Sequence, residues 1–297
     1  PVPEGFVVSS DTTENTIEQG LVIKQGDDPA STTSNEFVWV PVKNPLTDYK
    51  RGVTGDMTDI NGNLTIGYFE DNTMSENMAI KNSVDKYNGF YIGRYETGLC
   101  DNARYSSTVI DGSNFINASP VVKKDAITWN YISQIRAVAE SKKIYNTSNV
   151  HSTLINSYVW DTMLNYLIAS GDKTQYQVVN NCSDFANYFN VEFLIDSNIK
   201  YSSDYGKTYQ IGLTKKQLNT DYLLTTGATK RNSTKNIYDL AGNIWEWTTE
   251  KFNSNFGVFR GGSFAYGNSA STSYRDSLFN QSFSHFGLGF RCMIYMP

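Results

Sequence analysis

Hydrophobic and polar positions alternate with two different periods along this chain of 297 residues. Residues 21–24 (LVIK) form a short apolar run, and 36–42 (EFVWVPV) alternate and are rich in β-branched and aromatic types. Together they predict an early hairpin, with Pro41 at an edge or strand end. A further strand is predicted over 89–97 (GFYIGRYET). Two helices are expected next. In the first, Ile132, Ile135 and Ala139 recur at helical spacing after Thr128 as N-cap, and 141–143 end it. In the second, Ser157 caps a core-facing stripe of Val159, Trp160, Met163, Leu164 and Leu167. Residues 48–82 are polar and Gly-bearing and predict a long loop. Residues 180–235 are polar and Tyr-rich, with nothing longer than a turn or short strand. Short, turn-bounded strands follow to the C-terminus. Strands and helices are segregated and no repeat is visible. The expectation is one α+β domain over 1–297, with an N-terminal extension or hairpin (1–35), insertions, and a C-terminal framework (236–297).

Composition narrows the function classes. With 39% apolar residues, including 20 Tyr, 16 Phe and 5 Trp, the chain can bury roughly three-quarters of its unfolded surface. The net charge of −5 and the lack of a Lys/Arg-rich run argue against nucleic acid as a partner. No apolar stretch is long enough to span a membrane. The sequence opens at Pro1 without Met and carries no signal-peptide pattern, which reads as an excised or processed soluble piece of a larger protein or assembly. Cys100, Cys182 and Cys292 are too few for a disulfide framework and lack metal spacing. One disulfide (Cys100 with Cys292 as the first candidate) or three reduced thiols both fit. The heavy use of Ser, Thr, Asn and Tyr suggests an extracellular, cell-surface or virion-surface location.

The most informative stretch is the C-terminal one. Residues 237–247 (IYDLAGNIWEW), 260–263 (RGGS) and 289–292 (GFRC) are Gly-, Trp- and Arg-bearing segments suited to a rigid frame. Gly242, Gly261, Gly262 and Gly289 permit positive φ or close backbone approach. Trp245 and Trp247 are two apart and point to one side of an extended segment. Arg260, Arg275 and Arg291 supply forked donors for carboxylates and loop carbonyls. Between these segments lies an insert, 264–286, built almost wholly of Ser, Asn, Tyr, Ala, Thr and Phe. Tyr and Phe give large contact area at low entropic cost, and Ser, Asn and Gly give adaptable hydrogen bonds, as in a paratope. With Tyr274 and Arg275 assigned to the frame, the candidate contact residues are Phe264, Tyr266, Asn268, Ser269, Ser271, Ser273, Asp276, Phe279, Asn280, Ser282, Phe283 and His285.

These C-terminal motifs, with Tyr274-Arg275 and the upstream 90–96 (FYIGRYE), resemble the formylglycine-generating enzyme (sulfatase-modifying factor) family. The resemblance implies a C-type-lectin-like fold with two helices, short antiparallel strands and long irregular loops. Catalytic members carry a copper-binding cysteine pair shortly after GGS. Here Tyr266 and Ser271 stand in that neighbourhood, and neither is a soft thiolate ligand. Cys292 matches the family's structural cysteine. The two histidines, His151 and His285, do not have iron-binding spacing. The resemblance also implies a structural Ca²⁺ near Asn243 and Glu246, hard oxygen donors, unless they serve as a turn Asn and an arginine-paired Glu. No cofactor is otherwise required.

The pattern is most similar to non-catalytic variable proteins of diversity-generating retroelements, which include phage tropism determinants and bacterial surface proteins. In these, adenine-directed mutagenesis rewrites exposed positions in the C-terminal segment on a fixed frame. The expected function is binding of a protein or glycan receptor on a cell surface through 264–286. The alternatives are an oxidoreductase of this family with altered chemistry and a fixed adaptor module of a phage tail or pilus.

Overall fold

The computed structural model describes residues 1–53, 70, 74–267 and 270–297. A six-stranded antiparallel sheet runs through the centre, in the order Phe6–Val8, Val22–Gln25, Glu36–Pro41, Gly89–Gly93, Cys292–Tyr295, His151–Leu154. The predicted hairpin is present, with Val22 opposite Val38 and Ile23 opposite Phe37. The C-terminal strand lies inside this sheet, with Met293 opposite both Ile92 and Thr153. The last residues of the chain are therefore held on two sides.

Alternation along Glu36–Pro41 sorts the two faces of the sheet. Val38 and Val40 join Ile92 and Met293 on one face. Helix Ser157–Ala169 covers it with Val159, Trp160, Met163, Leu164 and Leu167, the predicted stripe. Phe37, Trp39 and Tyr91 face the other way, toward Trp129, Ala137, Trp245, Trp247 and Phe259. There a second sheet packs, in the order Arg275–Asp276, Gly257–Arg260, Trp245–Lys251, Leu288–Phe290. Its last pair is parallel, with Trp245 opposite Leu288.

Several predicted boundaries move. Asn156, rather than Ser157, caps the second helix, its Oδ1 accepting from Val159 N at 2.8 Å. The first helix spans Gln134–Ser141 and is capped by Ser133. Thr128 belongs instead to the strand Ile127–Thr128, its hydroxyl donating to Leu224 O. Ile132 thus precedes the helix, which turns Ile135 outward (56% exposed) and Ala137 inward. The loop predicted over 48–82 ends in a helix, Ser75–Tyr87, seated by Ile80 and Val84 one turn apart. The part of that prediction on 54–69 and 71–73 lies outside the described residues. Residues 180–235 contain only short helical turns and two-residue strands, as expected.

All three cysteines are unbridged, so the Cys100–Cys292 pairing does not form. Cys100 donates to Asn117 O, while the buried Cys292 bonds the hydroxyl of Thr97. No helix among the described residues is long and apolar enough to cross a membrane.

Candidate binding face

The frame under the insert is held by buried ionic groups. Glu246 takes both Nε and Nη2 of Arg291, at 2.9 and 2.5 Å, and Arg291 also donates to Gly93 O and Tyr238 O. Arg260 donates to Asp161 at 2.8 Å and to the carbonyls of Ser273 (2.7 Å) and Tyr274 (3.1 Å). Arg275 bonds both oxygens of Glu250, at 3.0 and 3.1 Å, and also Asp161. Burial alone would raise the Asp161 carboxyl. The charges of Arg260 and Arg275 outweigh it and hold the carboxyl below its usual range. The three arginines thus have the frame role expected of them.

Glycines shape the entry to the insert. Gly261 and Gly262 have φ of 90° and 79°. A Cβ on Gly262 would sit 2.5 Å from the Tyr188 ring and 2.7 Å from Ala270 O. The Tyr188 hydroxyl ties Gly261 O and Ala270 O together, and Trp160 Nε1 donates to Thr272 O at 2.9 Å. Thr272 in turn donates its N–H to Cys182 Sγ and its hydroxyl to Val178 O.

The insert is therefore not one exposed loop. Residues 270–273 are buried, and they separate an exposed part around Tyr266 from a longer one after Tyr274. Phe264, Ser271 and Ser273 were expected to be contact residues, but all three are buried. Phe264 packs inward toward Phe286, and the two seryl hydroxyls bond one another. Asn268 and Ser269 lie outside the described residues. Tyr266 (40% exposed) and Phe283 (46%) are open, Asn280 and Ser282 are exposed, and Asp276, Phe279 and His285 are half-buried. Tyr274, assigned to the frame by sequence, is 46% exposed because Arg275 takes the inward position of the strand. Leu278, 66% exposed, was missed; only its place beside Asp276 in a polar run pointed to it.

The open rings rest on buried ones. Trp245 contacts Tyr266 and Tyr274 at centroid distances of 6.0 and 6.2 Å, and Phe259 at 5.1 Å. Phe259 stacks on Phe279 (5.7 Å), which in turn stacks on Phe283 (5.1 Å) and His285 (5.0 Å). His285 meets Phe286 at 4.0 Å. Burial lowers the His285 pKa, and its Nδ1 accepts from Gly287 N, so the ring is a neutral part of this array. Asp276 Oδ1 caps the Leu278 amide and Asn280 Oδ1 caps that of Ser282, turns that hold the side chains between them outward.

The residues considered for metal are already engaged. Asn243 Oδ1 accepts from Asn187 Nδ2 and Leu224 N, and its Nδ2 donates to Glu96. Both Glu246 oxygens take Arg291. That donor set, with a guanidinium seated on it, does not fit Ca²⁺. Of the cysteines, Cys292 is held toward its neutral thiol form, since burial pushes its pKa up to about 12.

An α+β frame of two sheets and covering helices, with long irregular loops, defines the class of this molecule. Residues 169–296 match the sulfatase-modifying factor enzyme 1-like domain, the family that the C-terminal motifs resemble. Similar solved structures include CarF and Treponema denticola variable protein 1. CarF shares 15% identity over 71% of this chain and 87% of its own, with a TM-score of 0.42. Treponema denticola variable protein 1 shares 13% identity over 100% of this chain and 94% of its own, with a TM-score of 0.32. No curated protein sequence matches the chain.

Proposed function

We propose that this is a non-catalytic binding protein, the variable protein of a diversity-generating retroelement. Its partner is a protein or glycan receptor on a cell surface. The observation that carries the reading is the row of half-open rings, Tyr266, Tyr274, Phe279 and Phe283, seated on a frame of buried arginine–carboxylate pairs. Such rings gain little for folding by being exposed and supply most of the energy when a partner covers them. The exposed Asn280 and Ser282 side chains between them adapt the hydrogen bonding. Several residue types of the insert, among them Asn, Ser, Tyr, Phe, Asp, His and Thr, are also those that rewriting adenines in an Asn codon yields. Binding on this account requires no cofactor, and the protein works at a bacterial or virion surface as part of a larger assembly. Nucleic acid is not its partner.

The reading requires the open positions to be free of folding duty. Replacing Tyr266, Tyr274, Leu278 and Phe283 together by Ser should leave the melting temperature within about 3 °C of the parent. A cooperative loss of structure at room temperature would show that these rings belong to the core, and the binding reading would fall.

A further inference from the structure

Among the described residues, eleven non-glycine positions have positive φ. Five are Asn and three are Asp, the types that tolerate the left-handed region, and one is Lys. The other two are tyrosines, Tyr131 at 49° and Tyr205 at 65°. Bulky rings are disfavoured there, and such strain persists only where surrounding structure imposes it.

Both tyrosines border the insert from outside it. The Tyr131 amide donates to His285 O at 3.0 Å. The Tyr205 ring packs on Phe286 at 4.6 Å and Phe264 at 6.4 Å, yet stays 38% exposed. The Asn130 amide nitrogen bonds Tyr205 O (2.8 Å) and Phe286 O (2.9 Å), tying the loop to the end of the insert. Gly206 follows at φ 89°, where a Cβ would meet that same amide at 2.5 Å, and its N–H is held by Ser202 Oγ. The neighbouring Asp221 carboxylate raises the pKa of the Tyr205 hydroxyl. The fold thus goes to some length to hold an aromatic ring open to solvent, where Asn would suit the backbone better.

We propose that Tyr205 is a constant contact residue of the binding face: a fixed aromatic anchor beside the insert, meeting the partner whatever the insert carries. The proposal rests on the reading of 264–286 as a binding surface. A bare insert must supply all of its contact energy from positions that change, whereas a fixed ring at its border gives every version a common starting contact. The partner this rim suits is a protein surface offering an apolar or basic group. The ring gives area, and the negative charge of Asp221 near its hydroxyl suits a basic group.

The test uses the full chain with Tyr266, Tyr274, Leu278, Asn280, Ser282 and Phe283 randomised, displayed, and selected on lysozyme as a protein probe. In independently selected binders, Tyr205→Asn should weaken affinity at least about tenfold, and Tyr205→Phe should change it by less than about threefold. The melting temperature of Tyr205→Asn should equal or exceed the parent's, since strain is relieved. Binders whose affinity is indifferent to Tyr205→Asn would overturn the proposal and leave the reading of the insert intact. So would a Tyr205→Asn chain that loses its fold, because the ring would then be structural. Failure to obtain any binder would remove the reading and the proposal together.

Discussion

Asp161 is the junction of the frame, and replacing it by Asn is the sharpest test of how the insert is held. Its carboxylate accepts from Arg260 at 2.8 Å, from Arg275, and from the Gly52 amide at 2.7 Å, in full burial. Asn keeps the size but removes the charge, leaving two buried guanidinium groups without their shared carboxylate. Removing one partner of a buried ion pair costs about 3–5 kcal/mol, because the remaining charge stays desolvated. At about 2–3 °C per kcal/mol for a chain of this size, the melting temperature should fall by about 6–15 °C. Arg260 also carries Ser273 O and Tyr274 O, so the loss should be local as well as global. Hydrogen exchange should show amides of 271–276 losing protection before those of the central sheet. The pH response supplies a second readout. A carboxyl held low stabilises the fold above its unfolded pKa, and that stability is lost as pH falls through the folded value. The parent should lose this contribution below about pH 4, and Asp161→Asn should not. An Asn variant within about 1 kcal/mol of the parent at pH 7, with unchanged exchange over 271–276, would refute the view that this pair pins the insert.

Asp239 predicts the opposite slope: burial raises its pKa to about 6, so stability should decline by up to about 3 kcal/mol as pH rises from about 4 to 6. Asp239→Asn should remove that decline and be the more stable form at pH 7 by denaturant titration, since Asn still accepts from Gly227 N and tolerates the φ of 58°. A steeper decline in the variant would contradict this. Phe279→Ala should cost about 2 kcal/mol because the ring stacks on the buried Phe259, whereas Phe283→Ala should cost less than about 1 kcal/mol in the same titration. Equal costs would show that the two rings share one environment. Gly262→Ala should destabilise by about 2 kcal/mol or more, since its Cβ would meet Tyr188 and Ala270 O at positive φ; a neutral substitution would mean that the turn can open.

The sequence was legible where a side chain's hydropathy decides its place. The helix Ser157–Ala169 and the strands Val22–Gln25 and Glu36–Pro41 carry apolar residues at the period their geometry requires. The helix Ser75–Tyr87 was not legible. Met74 offers no side-chain cap, and of the helix's apolar residues only Ile80 and Val84 are buried. The first helix was misphased because Ile132, Ile135 and Ala139 fit a helical spacing, while Ser133 starts the helix after Ile132. In the insert, burial of Ser271, Thr272 and Ser273 depends on distant donors and acceptors, among them Arg260, Cys182 and Val178. Small polar residues satisfied that way cost little to bury, and hydropathy alone reads them as exposed. The left-handed backbone of Tyr205 is likewise set by Asn130 and Gly206, which sequence does not place beside it.

The central claim is that a fixed frame presents side chains that vary. Deep sequencing of codons 260–292 across the source population tests it most directly. The account predicts substitutions concentrated at the open positions Tyr266, Tyr274, Leu278, Asn280, Ser282 and Phe283, with Gly261, Gly262, Thr272, Arg275 and Arg291 unchanged. An insert as constant as its frame, or substitutions spread evenly over buried and open positions, would contradict it.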